Sequence, residues 1–452
     1  MGNNENQSGH RVGDGPTRTI VLQPVLRDRK TDARGERDPD ILLEESVGLA
    51  RAIALDVVSA RAITLNRPRP ATLFGPGVVE EVHERIEAEE ADLVVVGGPL
   101  SPVQQRNLER AWSCKVIDRT GLILEIFGER ARTREGQLQV ELAALTYQRS
   151  RLVRSWTHLE RQRGGFGFVG GPGESQIELD RRMIDDRIIR LKRELDQVRR
   201  TRGLHRQARE RVPYPLIALV GYTNADKSTL FNRLTRADVF AEDMLFATLD
   251  PTMRRLELPS GRMAILSDTV GFISELPHDL VAAFRATLEE VVAADIVLHI
   301  RDIADPDTEA QSADVDEILK NLLRDREKSD DDDEKMPVQI VVLNKTDLLP
   351  KDERDALAAR AAREPVLVVA SALNGEGCDE LLAVIDEALA QAGTVTDVDV
   401  ALSDGALMAW LYEKGEVLSR EDDGMNSHLT VRLTPPDMAR LRKQQAEGET
   451  GV

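Results

Sequence analysis

The sequence PLIALVGYTNADKSTLFNRL, residues 215–234, decides the fold of this chain. It starts with an apolar run of the length of a buried strand and ends in residues that begin a helix. The loop between them closes on Lys227 and Ser228. These are the parts of a P-loop, in which backbone N–H groups and the helix N-terminus supply the positive field that phosphates need. The stretch therefore predicts an α/β domain that binds a nucleotide.

One position departs from the P-loop pattern G-x-x-x-x-G-K-[ST], because Asp226 stands where the pattern has glycine. Lys227 is expected to reach the β- and γ-phosphates, and Ser228 to hold Mg²⁺ through its hydroxyl. A carboxylate beside them adds bulk and a like charge close to a polyanion. Two interpretations stay open. Either the Asp226 side chain turns toward solvent and binding persists, or the domain is degenerate and does not hydrolyse nucleotide.

A second strand-like run, residues 264–267, leads into Asp268 and Gly271 with the pattern D-x-x-G. We expect Asp268 to hold Mg²⁺ through water and the Gly271 amide to sense a γ-phosphate. The next residue is Phe272, at a position where a glutamine could orient the attacking water. Hydrolysis is therefore expected to be slow and to rely on backbone groups, a monovalent cation or a partner.

The segment FATLDPT, residues 246–252, lies between these two motifs. A threonine there could complete the coordination of Mg²⁺ when a γ-phosphate is present and release it after hydrolysis. Thr248 is the first candidate and Thr252 the second, with an ordinary polar loop residue as the alternative. Asn224 in the phosphate loop either helps to coordinate K⁺ near the phosphates or braces the loop with a hydrogen bond.

The apolar run at residues 338–343 is followed directly by the sequence NKTD, residues 344–347. The Asp347 carboxylate can accept hydrogen bonds from both N1–H and the 2-amino group of guanine, and adenine offers neither donor in that arrangement. A further run, residues 366–370, presents a Ser-Ala-Leu segment whose backbone is expected to contact guanine O6. Four motifs in this order, each after a strand, predict a guanine-nucleotide site, with ordinary turns of an α/β fold as the alternative.

The predicted site combines these four motifs with the switch segment. No side chain is assigned as a general base, and Lys227, Thr248 and Gly271 are the candidates for stabilising the transition state. The candidate magnesium ligands are Ser228 and Thr248. The residues expected to bind the nucleotide are Gly221, Tyr222, Thr223, Asn224, Ala225, Asp226, Lys227, Ser228, Phe246, Ala247, Thr248, Leu249, Asp250, Asp268, Thr269, Val270, Gly271, Asn344, Lys345, Thr346, Asp347, Ser371, Ala372 and Leu373.

Composition restricts the class of protein. The 452 residues exceed what one core usually organises, and 79 acidic against 60 basic residues give a net charge of −19. The two cysteines, Cys114 and Cys378, match no metal or redox spacing, which favours a reducing compartment. The apolar runs are too short to span a bilayer, and the start of the chain lacks the apolar core of a signal peptide. We expect a cytoplasmic monomer with no membrane span.

Hydrophobic periodicity divides the chain into five parts. The predicted class is α/β, with a P-loop domain, an N-terminal parallel α/β domain, a long antiparallel helical hairpin and a small C-terminal α/β domain. In the hairpin, apolar residues from Ile184 to Val198 step by four and three, which is the seam of two zipped helices. The parts are a disordered tail at 1–18, the N-terminal domain at 19–134, the hairpin at 135–211, the G domain at 212–392 and the C-terminal domain and tail at 393–452.

The hairpin carries charge of the opposite sign to the rest of the chain. Residues 149–211 hold 17 Lys and Arg against 9 Asp and Glu, a net charge of +8. A basic arm on an acidic body suggests an element that contacts RNA, and a solvated coiled-coil face is the alternative. The Gly-rich tip, residues 164–174, is longer than a tight turn requires and is either a functional loop or a connector.

With these motifs assembled, the chain resembles the HflX family of ribosome-associated GTPases over residues 19–433. In the G domain the resemblance rests on GYTNADKSTLFNRL at 221–234, FATLDPT at 246–252, DTVGF at 268–272 and NKTD at 344–347. Elsewhere it rests on LSPVQQRNL at 100–108, DRTGLIL at 118–124, QVELAAL at 139–145 and GGPGESQIELDRR at 170–182.

The resemblance implies a Ras-like G domain that binds GTP and GDP, with Mg²⁺ carried over to Ser228 and Thr248. It implies binding to the large ribosomal subunit, with the 135–211 hairpin directed into ribosomal RNA, and a role in splitting or rescuing stalled ribosomes. A hydrophobic residue at the position of Phe272 is normal for the family, whereas Asp226 is a departure.

Overall fold

The architecture confirms the predicted α/β class, with two mainly parallel sheets, one antiparallel sheet and a hairpin of two long helices. None of the helices within the described residues combines the length and the apolar character that a bilayer crossing needs. The computed structural model describes residues 16–27, 38–162, 176–209, 214–236, 245–246, 248, 252–274, 285–324, 336–391, 394–433, 437–438 and 440–441.

The N-terminal domain is a four-stranded parallel sheet in the order β2-β1-β3-β4, with helices on both faces. Right-handed crossovers through helices are the usual way to connect parallel strands. Its elements are β1 Arg18–Leu26, α1 Pro39–Arg51, β2 Asp56–Leu65, α2 Pro76–Ala88, β3 Leu93–Val96, α3 Pro102–Trp112, β4 Lys115–Asp118 and α4 Arg119–Arg130.

Local sequence explains where these helices begin. Asp38 caps α1 by accepting from the Asp40 amide at 2.9 Å, and Ser101 and Gln104 form a reciprocal capping box at α3. Asp118 caps α4 by accepting from the Gly121 amide at 2.9 Å. Asp and Ser are preferred at these positions because their side chains satisfy amides that the first helical turn leaves free. The cap of α4 also places Arg119 at a helix N-terminus that faces the G domain.

The helical hairpin consists of α5, Arg134–Gln162, and α6, Gln176–Arg209. Leu138 of α5 packs with Leu191 and Leu195 of α6, and all three are buried. Ion pairs reinforce this seam, including Arg134–Glu194 at 2.6 Å. The seam agrees with the four-and-three spacing on α6, because residues at that spacing share one helix face. The Gly-rich tip at 164–174 lies outside the described residues.

The G domain is a six-stranded sheet in the order β10-β9-β8-β5-β7-β6, parallel except for β6. The carboxyl ends of β5, β7, β9 and β10 meet at one edge, and ligands of open α/β sheets bind outside that edge. The elements are β5 Leu216–Gly221, α7 Lys227–Thr235, β6 Thr252–Glu257, β7 Met263–Asp268, α8 Arg285–Val292, β8 Ile296–Asp302, α9 Thr308–Leu323, β9 Val338–Asn344, α10 Lys351–Ala361, β10 Leu367–Val369 and α11 Cys378–Gln391.

A single apolar core joins the N-terminal domain to the G domain. It contains Leu49 of α1, Phe127 of α4, Val220 of β5 and Val315 of α9, each fully buried. Phe246 from the switch segment belongs to the same core. Because buried apolar area of this kind is the main favourable contribution to folding, the two domains are held in a fixed relation around the site.

The C-terminal domain is a three-stranded antiparallel sheet in the order β11-β13-β12, with one helix. Its buried residues form a separate small core. The elements are β11 Thr394–Ala401, α12 Gly405–Lys414, β12 Glu416–Asp422 and β13 Asn426–Leu433. The apolar pattern gave no sign of β12, because its sequence EVLSRED is mostly polar.

Candidate nucleotide-binding site

The phosphate loop runs from the end of β5 to the start of α7. At Gly221, an added Cβ would lie 2.3 Å from the Ile300 carbonyl oxygen, so only glycine allows the strand to approach β8 so closely. Asn224 lies on the exposed part of the loop, in the left-handed region at φ 61°. The loop and the N-terminus of α7 lie where the sequence predicted an anion-binding feature.

Asp226 occupies the position of the missing P-loop glycine and is also left-handed, at φ 60° and ψ 35°. Aspartate tolerates this region better than most residues, so the backbone keeps the conformation that glycine would adopt. Its carboxylate lies 3.9 Å from Lys345 Nζ, which is itself held by Asp302 at 2.8 Å. The Asp226 side chain is 33% exposed. The departure from the motif therefore adds negative charge between the phosphate loop and the guanine loop without deforming either.

Lys227 is the buried cation of the site. Its Nζ donates to the Tyr222 carbonyl oxygen at 2.7 Å, which holds the side chain across the loop. Burial lowers the pKa of Lys227 to about 8, while Asp268 and Asp226 nearby act to raise it. An ammonium group has three protons, so one such bond leaves two donors for phosphate oxygens. The geometry fits the predicted role of Lys227 at the β- and γ-phosphates.

Three oxygens converge beside this lysine. The hydroxyls of Ser228 and Thr248 lie 2.8 Å apart, and they donate to Asp268 Oδ2 at 2.7 Å and 2.9 Å. Asp268 is fully buried, and burial raises its pKa while the hydrogen bonds from Ser228 and Thr248 lower it. Hydroxyl and carboxylate oxygens are the ligands that Mg²⁺ prefers, and a divalent cation would offset the cost of burying this carboxylate. The residues present therefore fit a magnesium ion.

Two further observations support this assignment. Of the two switch threonines, Thr248 has its hydroxyl in the cluster, whereas Thr252 begins β6. The Thr223 hydroxyl is buried with no hydrogen-bond partner in the described part of the chain, which is unusual unless a ligand completes it.

The guanine end is organised by Asn344 and Asp347. Asn344 is fully buried, donates from Nδ2 to the Ala225 carbonyl at 2.9 Å and accepts at Oδ1 from the Ala372 amide at 2.9 Å. It therefore joins the phosphate loop to the Ser-Ala-Leu segment. Asp347 accepts from Ser371 Oγ at 2.5 Å, which fixes the carboxylate that is expected to read guanine. The structure brings both predicted base-reading segments together at one end of the site.

The remaining predicted residues serve mainly as framework. The Thr269 hydroxyl donates to the Leu219 carbonyl at 2.5 Å, and the Thr346 hydroxyl donates to Ala370 at 3.0 Å. Val270 is buried in the apolar core, and Leu373 is exposed. The Phe246 ring packs against Phe127 of the N-terminal domain. Ala247, Leu249 and Asp250 lie outside the described residues.

Phe272 has no catalytic capacity in this fold. Its side chain is buried in the core shared by the two domains. Its amide donates to the Gly221 carbonyl at 3.0 Å, and its carbonyl accepts from the Thr223 amide at 2.7 Å. These bonds hold the D-x-x-G segment against the phosphate loop, so that a Cβ on Gly271 would lie 3.1 Å from Lys227 Nζ. The close approach explains why glycine stands at this position.

Sequence reasoning missed the contribution of the N-terminal domain to this site. Glu45 and Arg119 contact Tyr222 and Ser274, and the Phe127 ring packs edge-on against Phe246 with 4.7 Å between ring centroids. The DRTGLIL motif that contains Arg119 was recognised, but its spacing from the P-loop gives no indication of contact. Only the fold reveals that Arg119 and Ser274, 155 residues apart, are partners.

Models of known protein families match most of the chain. Those described as GTP-binding GTPase N-terminal and GTP-binding GTPase Middle Region match residues 41–128 and 130–209. The one described as 50S ribosome-binding GTPase matches residues 216–345, and the HflX C-terminal domain matches residues 356–451. The four matches follow one another along the chain in the order of the regions described above.

Known relatives align over similar lengths. A GTPase HflX of Magnetococcus marinus is 49% identical over 427 residues, which are 94% of this chain and 95% of the relative. The GTPase HflX of Escherichia coli is 41% identical over 409 residues, 89% of this chain and 92% of the relative. A solved structure of SsGBP in complex with GDP is 22% identical, covers 83% of this chain and 99% of its own, and has a TM-score of 0.48. Because the two sequence alignments run over most of each chain, the likeness is not confined to the P-loop domain.

Proposed function

Because this chain belongs to the HflX family of GTPases, we propose that it is a slow, Mg²⁺-dependent GTPase that binds the large ribosomal subunit through its hairpin and splits or rescues stalled ribosomes. Binding and hydrolysis of GTP come with the family itself. The proposal adds the metal, the slow rate and the partner. One observation carries it: Ser228, Thr248 and Asp268 converge beside the buried ammonium group of Lys227.

The residues of the phosphate end divide the work of binding. Lys227 presents its ammonium group in a buried site, where a charge is screened less than at the surface. Ser228 and Thr248 would hold Mg²⁺ with Asp268 behind them, and the bound ion would neutralise charge on the phosphates. Gly271 lies close to Lys227, since an added Cβ would lie 3.1 Å from Lys227 Nζ, and its amide would donate with Lys227 to the same γ-phosphate. This arrangement favours GTP over a nucleotide that lacks that phosphate.

The slow rate follows from Phe272. Its ring is buried, and the neighbouring groups, Lys227 Nζ and the Gly271 amide, are donors rather than acceptors of a proton. The residue that follows the D-x-x-G segment therefore offers no polar side chain to orient a water molecule. We propose that an external group supplies this function, either the ribosome or K⁺ bound near Asn224.

The hairpin supports the ribosomal partner. Residues 149–211 of the hairpin carry a net charge of +8 on an otherwise acidic chain, and this charge attracts a phosphate backbone. The structure separates its arginines into two kinds. Arg187 donates from two nitrogens to Glu141 of α5, at 2.8 Å and 3.0 Å, and so joins the two helices. Arg181 lies 3.9 Å from Asp185 and is half exposed, which leaves it better placed for RNA.

The decisive test measures GTP turnover and co-sedimentation with purified large ribosomal subunits, in buffers with K⁺ or Na⁺ and with or without Mg²⁺. We expect slow turnover by the free protein, stimulation by the subunits and loss of turnover when Mg²⁺ is chelated. The Asp347→Asn variant is the matched control, because it alters the guanine end and leaves the hairpin intact. Absence of both subunit binding and stimulation would contradict the proposal. Equal rates in K⁺ and Na⁺ would remove the cation site at Asn224.

A further inference from the structure

A buried polar network binds the phosphate end of the site to the N-terminal domain. One nitrogen of Arg119, Nη2, donates to three oxygens: Glu45 Oε2 (2.9 Å), the Ser274 carbonyl oxygen (3.2 Å) and Ser274 Oγ (3.1 Å). The Tyr222 hydroxyl donates to Glu45 Oε1 and accepts from the Ser274 amide at 2.9 Å. Ser274 Oγ also donates to Glu45 Oε2 at 3.2 Å. Two residues of each domain thus form one closed set of hydrogen bonds.

The network is largely buried. The side chains of Arg119 and Glu45 are 6% and 11% exposed, and Tyr222 and Ser274 are buried. Breaking a buried ion pair is strongly destabilising. Removing one partner leaves the other charged and uncompensated. The Arg119–Glu45 contact is therefore expected to keep one geometry, whereas an exposed ion pair can rearrange.

The two G-domain members of the network lie at sensitive points of the nucleotide site. Tyr222 is the second residue of the phosphate loop, and its carbonyl accepts from Lys227 Nζ at 2.7 Å. Ser274 lies three residues after Gly271. Between them, Phe272 is bonded through its backbone to Gly221 and Thr223. The segment 271–274 is therefore held by the phosphate loop on one side and by the N-terminal domain on the other.

We propose that Glu45 and Arg119 are positioning residues for GTP hydrolysis. Through Ser274 and the Tyr222 hydroxyl they fix the backbone of Gly271 against Lys227. This inference deepens the proposed function and rests on the GTPase site described there. An amide that must meet a γ-phosphate is more effective when its position is set before the ligand arrives. GDP lacks that phosphate, so the network acts on GTP and on turnover far more than on GDP.

The experiment compares Glu45→Gln with Arg61→Gln. Glu45→Gln keeps the size of the side chain and removes its charge, and Arg61→Gln breaks the exposed ion pair with Glu81 in the same domain. Full-length protein without ribosomes is titrated with fluorescent GDP and a non-hydrolysable GTP analogue, and single-turnover hydrolysis of GTP is measured. We expect Glu45→Gln to weaken analogue binding and slow turnover about tenfold while GDP affinity changes less than about twofold. Arg61→Gln should change none of these.

Further variants keep the test decisive. If Glu45→Gln does not fold, Tyr222→Phe replaces it, because this change removes only the hydroxyl of the network. Arg119→Lys, which keeps a cation, should recover part of what Arg119→Gln loses. Unchanged analogue binding and turnover in a folded network variant would overturn the inference, and so would equal losses for GDP and the analogue, which a purely structural contact would produce. The ribosomal proposal is tested separately, by binding of the unmodified protein to ribosomal subunits. The inference about Glu45 and Arg119 can therefore fail while the ribosomal proposal stands, and the reverse also holds.

Discussion

The guanine end and the phosphate end of the nucleotide site are built differently. At the guanine end, Asn344 and Asp347 bond only to other residues of the G domain among their observed partners, such as Ser371. At the phosphate end, Ser274 is bonded to Arg119 of the N-terminal domain. We therefore infer that recognition of the base is a property of one domain, whereas the geometry around the γ-phosphate depends on two.

The largest effect is expected from Asp347→Asn at the guanine end. Two hydrogen bonds to a charged acceptor contribute roughly 1.5–3 kcal/mol each, so GTP affinity should fall at least about 100-fold. Xanthine nucleotides should bind better, because an amide can donate to the oxygen that replaces the 2-amino group. Competition titrations with GTP, ATP and XTP check this. Preserved preference for GTP would show that Asp347 does not face the base.

The guanine end is also the part of the site that the sequence predicted best. Asn344 and Asp347 belong to one four-residue motif at the end of β9, so their spacing alone carries the chemistry. Tyr222 and Glu45 are 177 residues apart, and no local pattern connects them. Their contact depends on how two sheets pack through a shared core. Sequence reasoning therefore identified the family but missed the contact of Glu45 and Arg119 with Tyr222 and Ser274.

A moderate effect is expected from Asp226→Gly at the phosphate end. Removing the carboxylate should tighten GDP and GTP binding about tenfold, or ~1.4 kcal/mol, because a like charge beside the phosphates disappears. Asp226→Asn is the matched control, since it removes the charge and keeps the bulk. If the effect is electrostatic, both variants gain affinity and the gain shrinks with added salt. A gain in Asp226→Gly alone would assign the cost to bulk, and no gain in either would show that the carboxylate does not oppose binding.

A smaller effect is expected from Phe127→Leu at the boundary between the domains. The edge-on contact of Phe127 with Phe246 contributes roughly 0.5–1.5 kcal/mol beyond its apolar burial. Thr248, a candidate Mg²⁺ ligand, lies two residues after Phe246, so loosening the Phe246 contact should also loosen Thr248. We therefore expect binding of a Mg²⁺–GTP analogue to weaken about threefold. GDP affinity is the internal control. Equal changes for both nucleotides would mean that this contact stabilises the fold without acting on the switch.

The smallest effect on the nucleotide site is expected from the hairpin. Replacing Arg181 and Arg182 by Gln should leave GTP affinity unchanged and lower the slope of log binding against log salt for ribosomal subunits by about 2, roughly one for each phosphate that is no longer neutralised. Arg187→Gln is the comparison variant. Arg187 is bonded to Glu141, so its replacement should lower the stability of the hairpin. It should change the salt slope less than the replacement of Arg181 and Arg182 does. Identical slopes for all variants would place the RNA-binding surface elsewhere.

The fold itself was predictable where periodicity is strong. Buried strands such as β5 and β9 have nearly continuous apolar sequences, and α6 shows its seam directly. Periodicity does not reveal β12, an edge strand in which residues 418–422 are exposed. It is also uninformative for α4, whose apolar residues are buried on several sides between two domains and so show no single face.

Hydrogen–deuterium exchange of the full chain, compared between GDP and a non-hydrolysable GTP analogue, tests most directly whether the two ends differ as described. The account predicts equal protection of residues 344–347 by both nucleotides. It also predicts stronger protection by the analogue at residues 271–274, in α1 near Glu45 and at the start of α4. Exchange in α1 and α4 that does not distinguish the two nucleotides would contradict it, because the phosphate end would then belong to the G domain alone.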